Sequence, residues 1–318
     1  MPCISLRRLG QLLHEAPAIL LAIHQHPDAD AIGSALGLAA GLRQAGKAVT
    51  LGCPDPVPER YRFLPGWQEV RQQVKPAALA LVLDLNDPRR LHAVEQAVQA
   101  SEQVAVLDHH PGAPDWPALM HIRTTAAATA VLVFQLLRVM KLPLTSEMAT
   151  CLYCGLGGDT GFFTFQNTGA EALAVAARLV EAGAEPYEIH RLSAAALPLS
   201  SLRLRGRALI SARSEYDGRL VYAMLRLEDF RETGAGPEET EGVVDELKSV
   251  AGGEVFVLFK QAAEHDWRIS LRSDSLDVGQ VARDLGGGGH AVASGCSLLG
   301  AEETVIQTVL HRLCALWS

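Results

Sequence analysis

Carboxylate and imidazole side chains gather at four separate points of this sequence, each at the end of an apolar or helix-like segment. Three of these segments have the composition of buried strands: "AILLAI" at 18–23, "LALVLDL" at 79–85 and "QVAVLDHH" at 103–110. The fourth point is the glycine-rich "GGDTG" at 157–161. The side chains concerned are His24, Asp28, Asp30, Asp84, Asp108, His109, His110 and Asp159. Because the carboxyl ends of parallel strands meet at one edge of a sheet, we expect these groups to converge in one crevice.

This concentration of carboxylates predicts bound cations. Carboxylates a few ångströms apart repel one another and raise one another's pKa values unless a cation lies among them. The mixture of Asp and His suits a divalent transition metal such as Mn²⁺ better than Ca²⁺ or Mg²⁺. About six ligands exceed what one open catalytic ion needs, which indicates two ions that share a bridging carboxylate. Two-metal sites favour in-line displacement at phosphorus, in which the ions activate water and stabilise charged oxygens.

Helix capping is the competing explanation for some of these residues. Asp30 precedes a helix expected over about 31–45, where it would be a suitable N-cap. Asp87 is interpreted as a cap and not as a ligand. Asp84 and Asp108 are harder to explain in this way, because each ends an apolar strand in the same manner.

Alternating strand and helix patterns position these groups. Over residues 1–186 they predict an α/β domain with a mostly parallel sheet and helices on both faces. Helical patterns continue through a predicted connector at 187–212. From 213 to 318, a hairpin signal at Asp217-Gly218, two further strands and flanking helices predict a smaller α+β domain, with a cleft between the two domains.

Composition limits the class of protein. The chain has 318 residues, of which 48% are hydrophobic and 20% charged, as is typical of a folded protein. Its net charge of −8 and 5% aromatic residues argue against an extended grip on duplex or long single strands. Six cysteines are too few for a disulfide framework, and no apolar stretch resembles a membrane span or a signal peptide. We therefore expect a cytoplasmic location without membrane association.

Taken together, the segments resemble the DHH phosphoesterase superfamily, which is named after the triplet at 108–110. The motifs "HQHPDADAIGSALGLAAGL", "VLDLND", "VLDHHPG" and "GGDTGFFTFQNT" are similar to its four signatures. The C-terminal motifs "EETEGVVDELKSV", "WRISLRS" and "GGGGHAVASG" are similar to the DHH-associated domain. The greatest similarity is to the two-domain nano-RNases that also act as 3′-phosphoadenosine-5′-phosphate phosphatases.

The resemblance implies a role for each clustered residue. One metal ion would be held by His24, Asp28 and Asp84. The other would be held by Asp30, Asp84, His109 and Asp159, so that Asp84 bridges the two ions. Asp108 would orient a ligating imidazole, and His110 would face the scissile phosphate. All six ligand positions are filled.

The resemblance also assigns substrate binding to the C-terminal domain. Its glycine-rich segment comprises Gly287, Gly288, Gly289 and His290. Glycines let backbone N–H groups approach a phosphate or base closely. Arg272 would supply a guanidinium fork for a terminal phosphate. The alternatives are a flexible turn for the glycines and an ordinary surface arginine on a strand.

The predicted function is Mn²⁺-dependent hydrolysis of short oligoribonucleotides from the 3′ end, of 3′-phosphoadenosine-5′-phosphate, or of both. A near alternative is hydrolysis of dinucleotides such as cyclic di-AMP or pApA. An alternative of another class is a non-catalytic nucleotide sensor, which predicts a broken ligand position. The expected partner is a short single strand or small nucleotide and not a duplex, and a homodimer is compatible with the resemblance.

Overall fold

The computed structural model describes residues 3–85, 87–111, 117–193 and 197–317. The chain divides into two compact units, Met1–Ala196 and Leu197–Ser318. One residue in each of two predicted motifs, Asn86 and Gly112, lies outside the described residues, as do residues 194–196 of the predicted connector.

The first unit is built around a six-stranded sheet in the order β3-β2-β1-β4-β5-β6, and all neighbouring strands are parallel. The strands are β1 (Ala18–Ala22), β2 (Ala48–Gly52), β3 (Val70–Arg71), β4 (Leu79–Leu83), β5 (Gln103–Asp108) and β6 (Leu119–Ile122). The α-helices are α1 (Leu6–Glu15), α2 (Ala29–Gln44), α3 (Glu95–Gln99), α4 (Thr129–Val139), α5 (Ser146–Asp159), α6 (Ala170–Glu181) and α7 (Pro186–Ser193). Short 3-10 segments occur at Glu59–Tyr61, Trp67–Glu69 and Pro88–Val94.

Both faces of this sheet are buried. Its central strands β1 and β4 carry apolar residues at every position, so that neither face suits contact with water. In β1, Ile19 and Leu21 belong to a core that includes residues of α1, α2, α4 and α5. Leu20 and Ala22 belong to a separate core that includes Val98 of α3. Strands of this kind require cover on both sides. The predicted parallel sheet with helices on both faces is confirmed.

Helix α2 begins two residues before the predicted start, and this changes the interpretation of Asp30. The N-cap is Asp28, whose side chain accepts a hydrogen bond from the backbone N–H of Ala31 at 3.0 Å. The competing explanation, that Asp30 caps this helix, is therefore wrong. Asp30 lies within the first turn and is fully buried, so capping of its own helix does not account for its carboxylate. Asp87 does act as a cap, as predicted.

The second unit contains another six-stranded sheet, in the order β11-β12-β10-β9-β8-β7. Its strands are β7 (Arg213–Glu215), β8 (Leu220–Leu225), β9 (Val255–Ala263), β10 (Asp266–Ser273), β11 (Gly288–Gly289) and β12 (Ala293–Leu299). Only the pair β8–β9 is parallel among those described. The helices are α8 (Leu199–Ile210), α9 (Leu227–Thr233), α10 (Val243–Glu246), α11 (Val278–Asp284) and α12 (Glu302–Cys314). Short 3-10 segments occur at Pro237–Thr240, Leu247–Ser249 and Ala315–Trp317.

This unit agrees with the predicted α+β class and differs in detail. The hairpin predicted at Asp217-Gly218 joins β7 to β8. Residues 237–249 form three short helical segments and not one continuous helix, and Gly242 separates the first segment from the second with a φ of 78°. The sheet buries residues on both faces, with Trp267 in one core and Phe256 in the other. In the part of the chain that the structure describes, no helix has the length and apolar character to cross a bilayer.

Candidate metal centre

All six residues that the resemblance assigns as ligands, together with His110, form three overlapping groups with the geometry of metal sites. Within each group, nitrogen and carboxylate oxygen atoms lie within 4.8 Å of one another. The groups are His24, Asp28 and Asp84; Asp84, His109 and His110; and Asp30, His109 and Asp159. Segments far apart in sequence supply them, namely the carboxyl ends of β1, β4 and β5, the start of α2 and the end of α5. The predicted convergence is therefore present.

Asp84 lies between the groups, directly after β4. Its carboxylate is 1% exposed. One oxygen, Oδ2, is 3.7 Å from Nε2 of His24. The other, Oδ1, is 3.6 Å from Nε2 of His109 and 3.7 Å from Nδ1 of His110. The two oxygens of one carboxylate thus face two different groups, which is the arrangement that a bridging ligand requires.

Asp30 is held by the start of α4 and not by its own helix alone. Its oxygens accept hydrogen bonds from the backbone N–H groups of Thr129 at 2.5 Å and Ala130 at 2.9 Å. Ser34, one turn along α2, donates its hydroxyl at 3.1 Å. The N-cap of α4 is Ala128, which has no capping side chain, so Asp30 satisfies N–H groups that would otherwise lack acceptors. Asp30 Oδ2 is 3.9 Å from Nε2 of His109.

His109 connects Asp84 to Asp159. Its Nδ1 lies 3.2 Å from the carbonyl oxygen of Ala126, which leaves Nε2 directed at the carboxylates. This Nε2 is buried and lies 3.0 Å from Oδ2 of Asp159. Asp159 was expected in a glycine-rich break and is in fact the last residue of α5. A buried imidazole nitrogen that faces several carboxylates fits a coordinating atom.

Asp108 contacts the imidazole of His110, which is not one of the six residues that the resemblance assigns as ligands. Its Oδ1 lies 2.8 Å from Nδ1 of His110 and also accepts from the backbone N–H groups of His109 and His110. The ring of His109 is held by Ala126 instead. Asp108 is therefore the partner of the imidazole expected to face the substrate.

The electrostatics of the site reflect a set of like charges in a buried space. Burial and the charges of Asp84 and Asp159 hold the pKa of Asp30 well above its usual range. Burial, opposed by His109, raises the pKa of Asp159 to about 6. Burial also works to raise the pKa of Asp84, but contact with His24 and the charges of His110 and His109 lower it to about 2. Buried carboxylates that repel one another are stabilised in their charged form by a cation placed among them.

The donor set fits divalent metal ions. Imidazole nitrogen and carboxylate oxygen are ligands for first-row transition metals, and the cysteines of the described residues belong to none of the three groups. His24 is oriented in the manner of a ligand: its Nδ1 lies 2.7 Å from the carbonyl oxygen of Gln25, which leaves Nε2 for the carboxylates. Nη2 of Arg90 lies 2.9 Å from the same Nδ1.

Two supporting residues, Thr129 and Arg90, were missed by the sequence analysis. Thr129 donates its hydroxyl to Oδ1 of Asp84 at 2.9 Å. A signal for it exists in "AAATAVLV" at 126–133, because a helix that starts after alanines needs acceptors from elsewhere in the fold. No comparable signal exists for Arg90, which reaches His24 across 66 residues of sequence.

The predicted substrate-binding residues all lie in the second unit. Arg272 is on β10, and its Nε is 3.1 Å from Oδ1 of Asp245. Gly288 and Gly289 form β11 and pair with β12, while His290 is exposed in the turn that joins these strands. A Cβ on Gly287 or Gly289 would collide with the backbone of β12. The glycines are therefore required for close strand pairing, whatever else they bind.

Two family models match the chain. The DHH family N-terminal domain matches residues 18–156, and the DHHA1 domain matches residues 217–316. With the parallel sheet and the acidic site at its carboxyl edge, these matches define the class of protein. The chain belongs to the DHH family of phosphoesterases, whose members use divalent metal ions.

Individual relatives resemble the chain over nearly its whole length. The bifunctional oligoribonuclease and PAP phosphatase NrnA of Thermus thermophilus is 34% identical, over 93% of this chain and 90% of that protein. The Bacillus subtilis protein of the same name is 26% identical, over 93% of this chain and 94% of that protein. The crystal structure of an exopolyphosphatase-related protein from Bacteroides fragilis is 26% identical and has a TM-score of 0.91, covering 98% of this chain and 95% of that one.

Proposed function

We propose that this chain is a two-metal phosphoesterase that hydrolyses short oligoribonucleotides from the 3′ end, 3′-phosphoadenosine-5′-phosphate, or both. The observation that carries the proposal is the Asp84 carboxylate, whose Oδ2 faces His24 while Oδ1 faces His109 and His110. The substrates are those named for the relatives from Thermus thermophilus and Bacillus subtilis.

The assigned ligands are His24, Asp28, Asp30, Asp84, His109 and Asp159. Mn²⁺ is the proposed metal, because imidazole and carboxylate together suit it better than the harder ions. When bound, two such ions activate water and stabilise the charge that develops on the phosphate oxygens. The protein's own contribution is to hold the ligands in a fixed arrangement before substrate arrives.

His110 is proposed to act on the phosphate in its protonated form. The contact with Asp108 raises the pKa of His110 from its usual value, although burial opposes the rise. The side chain is 32% exposed, so it is accessible to a ligand. A protonated imidazole in this place donates a hydrogen bond to a phosphate oxygen or a proton to a leaving group. Asp108 fixes the orientation of the ring.

Substrate recognition is proposed for Arg272, Gly287, Gly288, Gly289 and His290. Arg272 supplies a planar fork suited to a terminal phosphate, and the backbone of the glycine strand can approach an anion closely. We assign catalysis to residues 1–186, connection to 187–212 and recognition to 213–318. Preference for single strands over duplex, a cytoplasmic location and a homodimer stay predictions.

An assay with a panel of substrates tests the proposal. Purified full-length protein is incubated with Mn²⁺, Mg²⁺ or Co²⁺ and each of several compounds: labelled RNAs of two to five nucleotides, pApA, cyclic di-AMP, 3′-phosphoadenosine-5′-phosphate and pyrophosphate. We expect turnover of the short RNAs or the adenosine bisphosphate, fastest with Mn²⁺ and abolished by EDTA. Turnover of pyrophosphate or cyclic di-AMP alone would contradict the proposed substrates, and turnover unaffected by EDTA would contradict the metal mechanism.

A further inference from the structure

The five-residue segment Ala126–Ala130 contacts three of the assigned ligands while supplying none itself. The carbonyl oxygen of Ala126 lies 3.2 Å from Nδ1 of His109. The N–H groups of Thr129 and Ala130 donate to Asp30. The hydroxyl of Thr129 donates to Oδ1 of Asp84. Within this segment, Thr129 contacts two carboxylates at once, one through its backbone and one through its side chain.

The rotation of the Asp84 carboxylate is the property that this contact controls. The terminal torsion of an aspartate is broad, so sterics alone leave the carboxylate plane loosely defined. The imidazole nitrogens near Asp84 lie 3.6 to 3.7 Å from its oxygens, beyond ordinary hydrogen-bond distance. Oγ1 of Thr129 is 2.9 Å from Oδ1. Before metal binding, the hydroxyl of Thr129 therefore supplies a directed hydrogen bond to the Asp84 carboxylate.

We propose that Thr129 is a positioning residue whose hydroxyl sets the rotation of the Asp84 carboxylate, so that one oxygen faces each metal-binding group. This inference rests on the proposed function, because it takes Asp84 to be the bridging ligand. Thr129 is fully buried, so water does not readily replace the hydroxyl. Removal of a partner that orients a metal ligand lowers metal affinity or activity by about 10- to 100-fold.

Replacement of Thr129 by valine separates the hydroxyl from the backbone contact. Thr129→Val keeps the branched shape and the N–H that binds Asp30, and removes only the donor to Asp84. Thr129→Ser keeps the donor and removes a methyl group. Thr308→Val is a matched control, because Thr308 is exposed on α12 in the second unit and donates only to the carbonyl of Thr304 among the contacts of the described residues.

The primary measurement is Mn²⁺ binding by isothermal titration calorimetry on the full-length variants. We expect Thr129→Val to bind one Mn²⁺ or both with about 10- to 100-fold lower affinity, and its kcat to fall while KM for substrate stays near the parent value. Thr129→Ser and Thr308→Val should match the parent in affinity. Unchanged affinity and stoichiometry in Thr129→Val would overturn the inference, as would an equal loss in Thr129→Ser.

Two further comparisons keep the result interpretable. If Thr129→Val does not fold, Thr129→Ala is compared with Thr129→Ser, and equal Mn²⁺ affinity of those two would also overturn the inference. Because calorimetry needs no substrate, weaker Mn²⁺ binding in Thr129→Val would support the role of the hydroxyl even if the substrate panel fails. Normal turnover of short RNA together with unchanged binding would instead leave the proposed function standing and remove only the role of Thr129.

Discussion

Asp84 combines two features that follow from its place at the end of β4. Its backbone has a φ of 59°, in the left-handed region that aspartate and asparagine tolerate better than most residues. Its carboxylate is buried at the centre of the acidic site. A substitution that tests the carboxylate should therefore keep a side chain that accepts this backbone conformation. Asparagine meets that requirement, whereas alanine adds backbone strain.

We predict that Asp84→Asn abolishes turnover. The amide cannot bridge two cations as a carboxylate does, and the stabilisation supplied by a metal pair amounts to several kcal/mol. The expected loss in kcat is at least about 10³-fold, since each 1.36 kcal/mol corresponds to a factor of ten. The measurement is kcat on the best substrate of the panel at saturating Mn²⁺.

Asp87→Asn is the control for this substitution. Asp87 lies three residues further along, is outside the three candidate metal-binding groups and pairs with Arg89 at the surface. The activity of the Asp87→Asn variant should stay near that of the parent. Turnover of Asp84→Asn within about tenfold of the parent would refute the bridging role, because the loss of a metal pair costs far more.

The ionisation of the site also predicts how metal-free stability depends on pH. The pKa of His109 is raised to about 9 by Asp159 and Asp84, in spite of burial. A group whose pKa is raised on folding stabilises the protein below its unfolded value of 6.5, and that stability is lost as pH rises through the folded value. The raised pKa values of His24 and His110 act in the same direction. The melting temperature in EDTA should therefore fall between pH 6.5 and 9.

Bound metal should reverse this dependence, because ligands coordinate in their deprotonated forms. The rise in melting temperature on adding Mn²⁺ should be larger at pH 8 than at pH 6.5, measured by thermal melts in EDTA and in excess Mn²⁺. A metal-induced rise that is the same at both pH values would show that the imidazoles are not ligands.

At the scale of elements, the close packing of α2 against α5 sets the distance between Asp30 and Asp159. Gly33 makes this approach feasible: a Cβ there would collide with the carbonyl oxygen of Cys151 and crowd the backbone of Gly155. Gly155 in turn lies against Asp30, whose Oδ1 would be 3.0 Å from an added Cβ. The ligand spacing is thus built into a helix–helix contact.

Gly33→Ala should therefore weaken both stability and metal binding. Overpacking of a buried contact costs about 1–3 kcal/mol, and the displaced helices should lower Mn²⁺ affinity as well. The control is Gly206→Ala in α8, where an added Cβ meets nothing within 4 Å. That change should stabilise the chain by about 0.5–1 kcal/mol. The two variants are compared by denaturant unfolding and by Mn²⁺ titration, and a Gly33→Ala protein as stable as the parent would contradict this account of the packing.

Elements with strong periodicity could be predicted from the sequence, and elements defined by tertiary contact could not. The apolar strands β1, β4 and β5 were evident, because burial on both faces leaves a continuous apolar pattern, and the candidate metal ligands follow directly after them. Strand β12 was missed, since "ASGCSLL" carries small residues that pair with the glycine strand. The exact start of α2 was wrong because two acidic residues, Asp28 and Asp30, both suit the cap.

The interactions that support the ligands were beyond sequence reasoning for a related reason. Asp30 accepts from N–H groups that lie about 100 residues away, in α4. The hydroxyl of Thr129 reaches Asp84 across 45 residues. Local patterns indicate which residue types could bind a metal, but these partners are determined only when the helices pack on the sheet.

At the scale of the whole molecule, the two units carry different parts of the proposed chemistry. All the candidate metal ligands lie in Met1–Ala196, and the proposed recognition residues lie in Leu197–Ser318. Each unit also has hydrophobic cores of its own, made up of residues from that unit alone. A change confined to the second unit should therefore affect substrate binding without loss of metal.

His290→Ala tests this division. His290 is exposed in the turn between β11 and β12, so its removal should leave the fold intact. Loss of a hydrogen bond to a charged phosphate costs about 1.5–3 kcal/mol, and we expect KM to rise by roughly tenfold or more with Mn²⁺ stoichiometry unchanged. The control is His265→Ala, another exposed histidine of the same unit, in the turn between β9 and β10, for which KM should not change. If Mn²⁺ stoichiometry falls in His290→Ala, the second unit takes part in metal binding and the assignment of separate tasks is wrong. If KM is unchanged, His290 has no part in substrate recognition, and the assignment of the metal centre is unaffected.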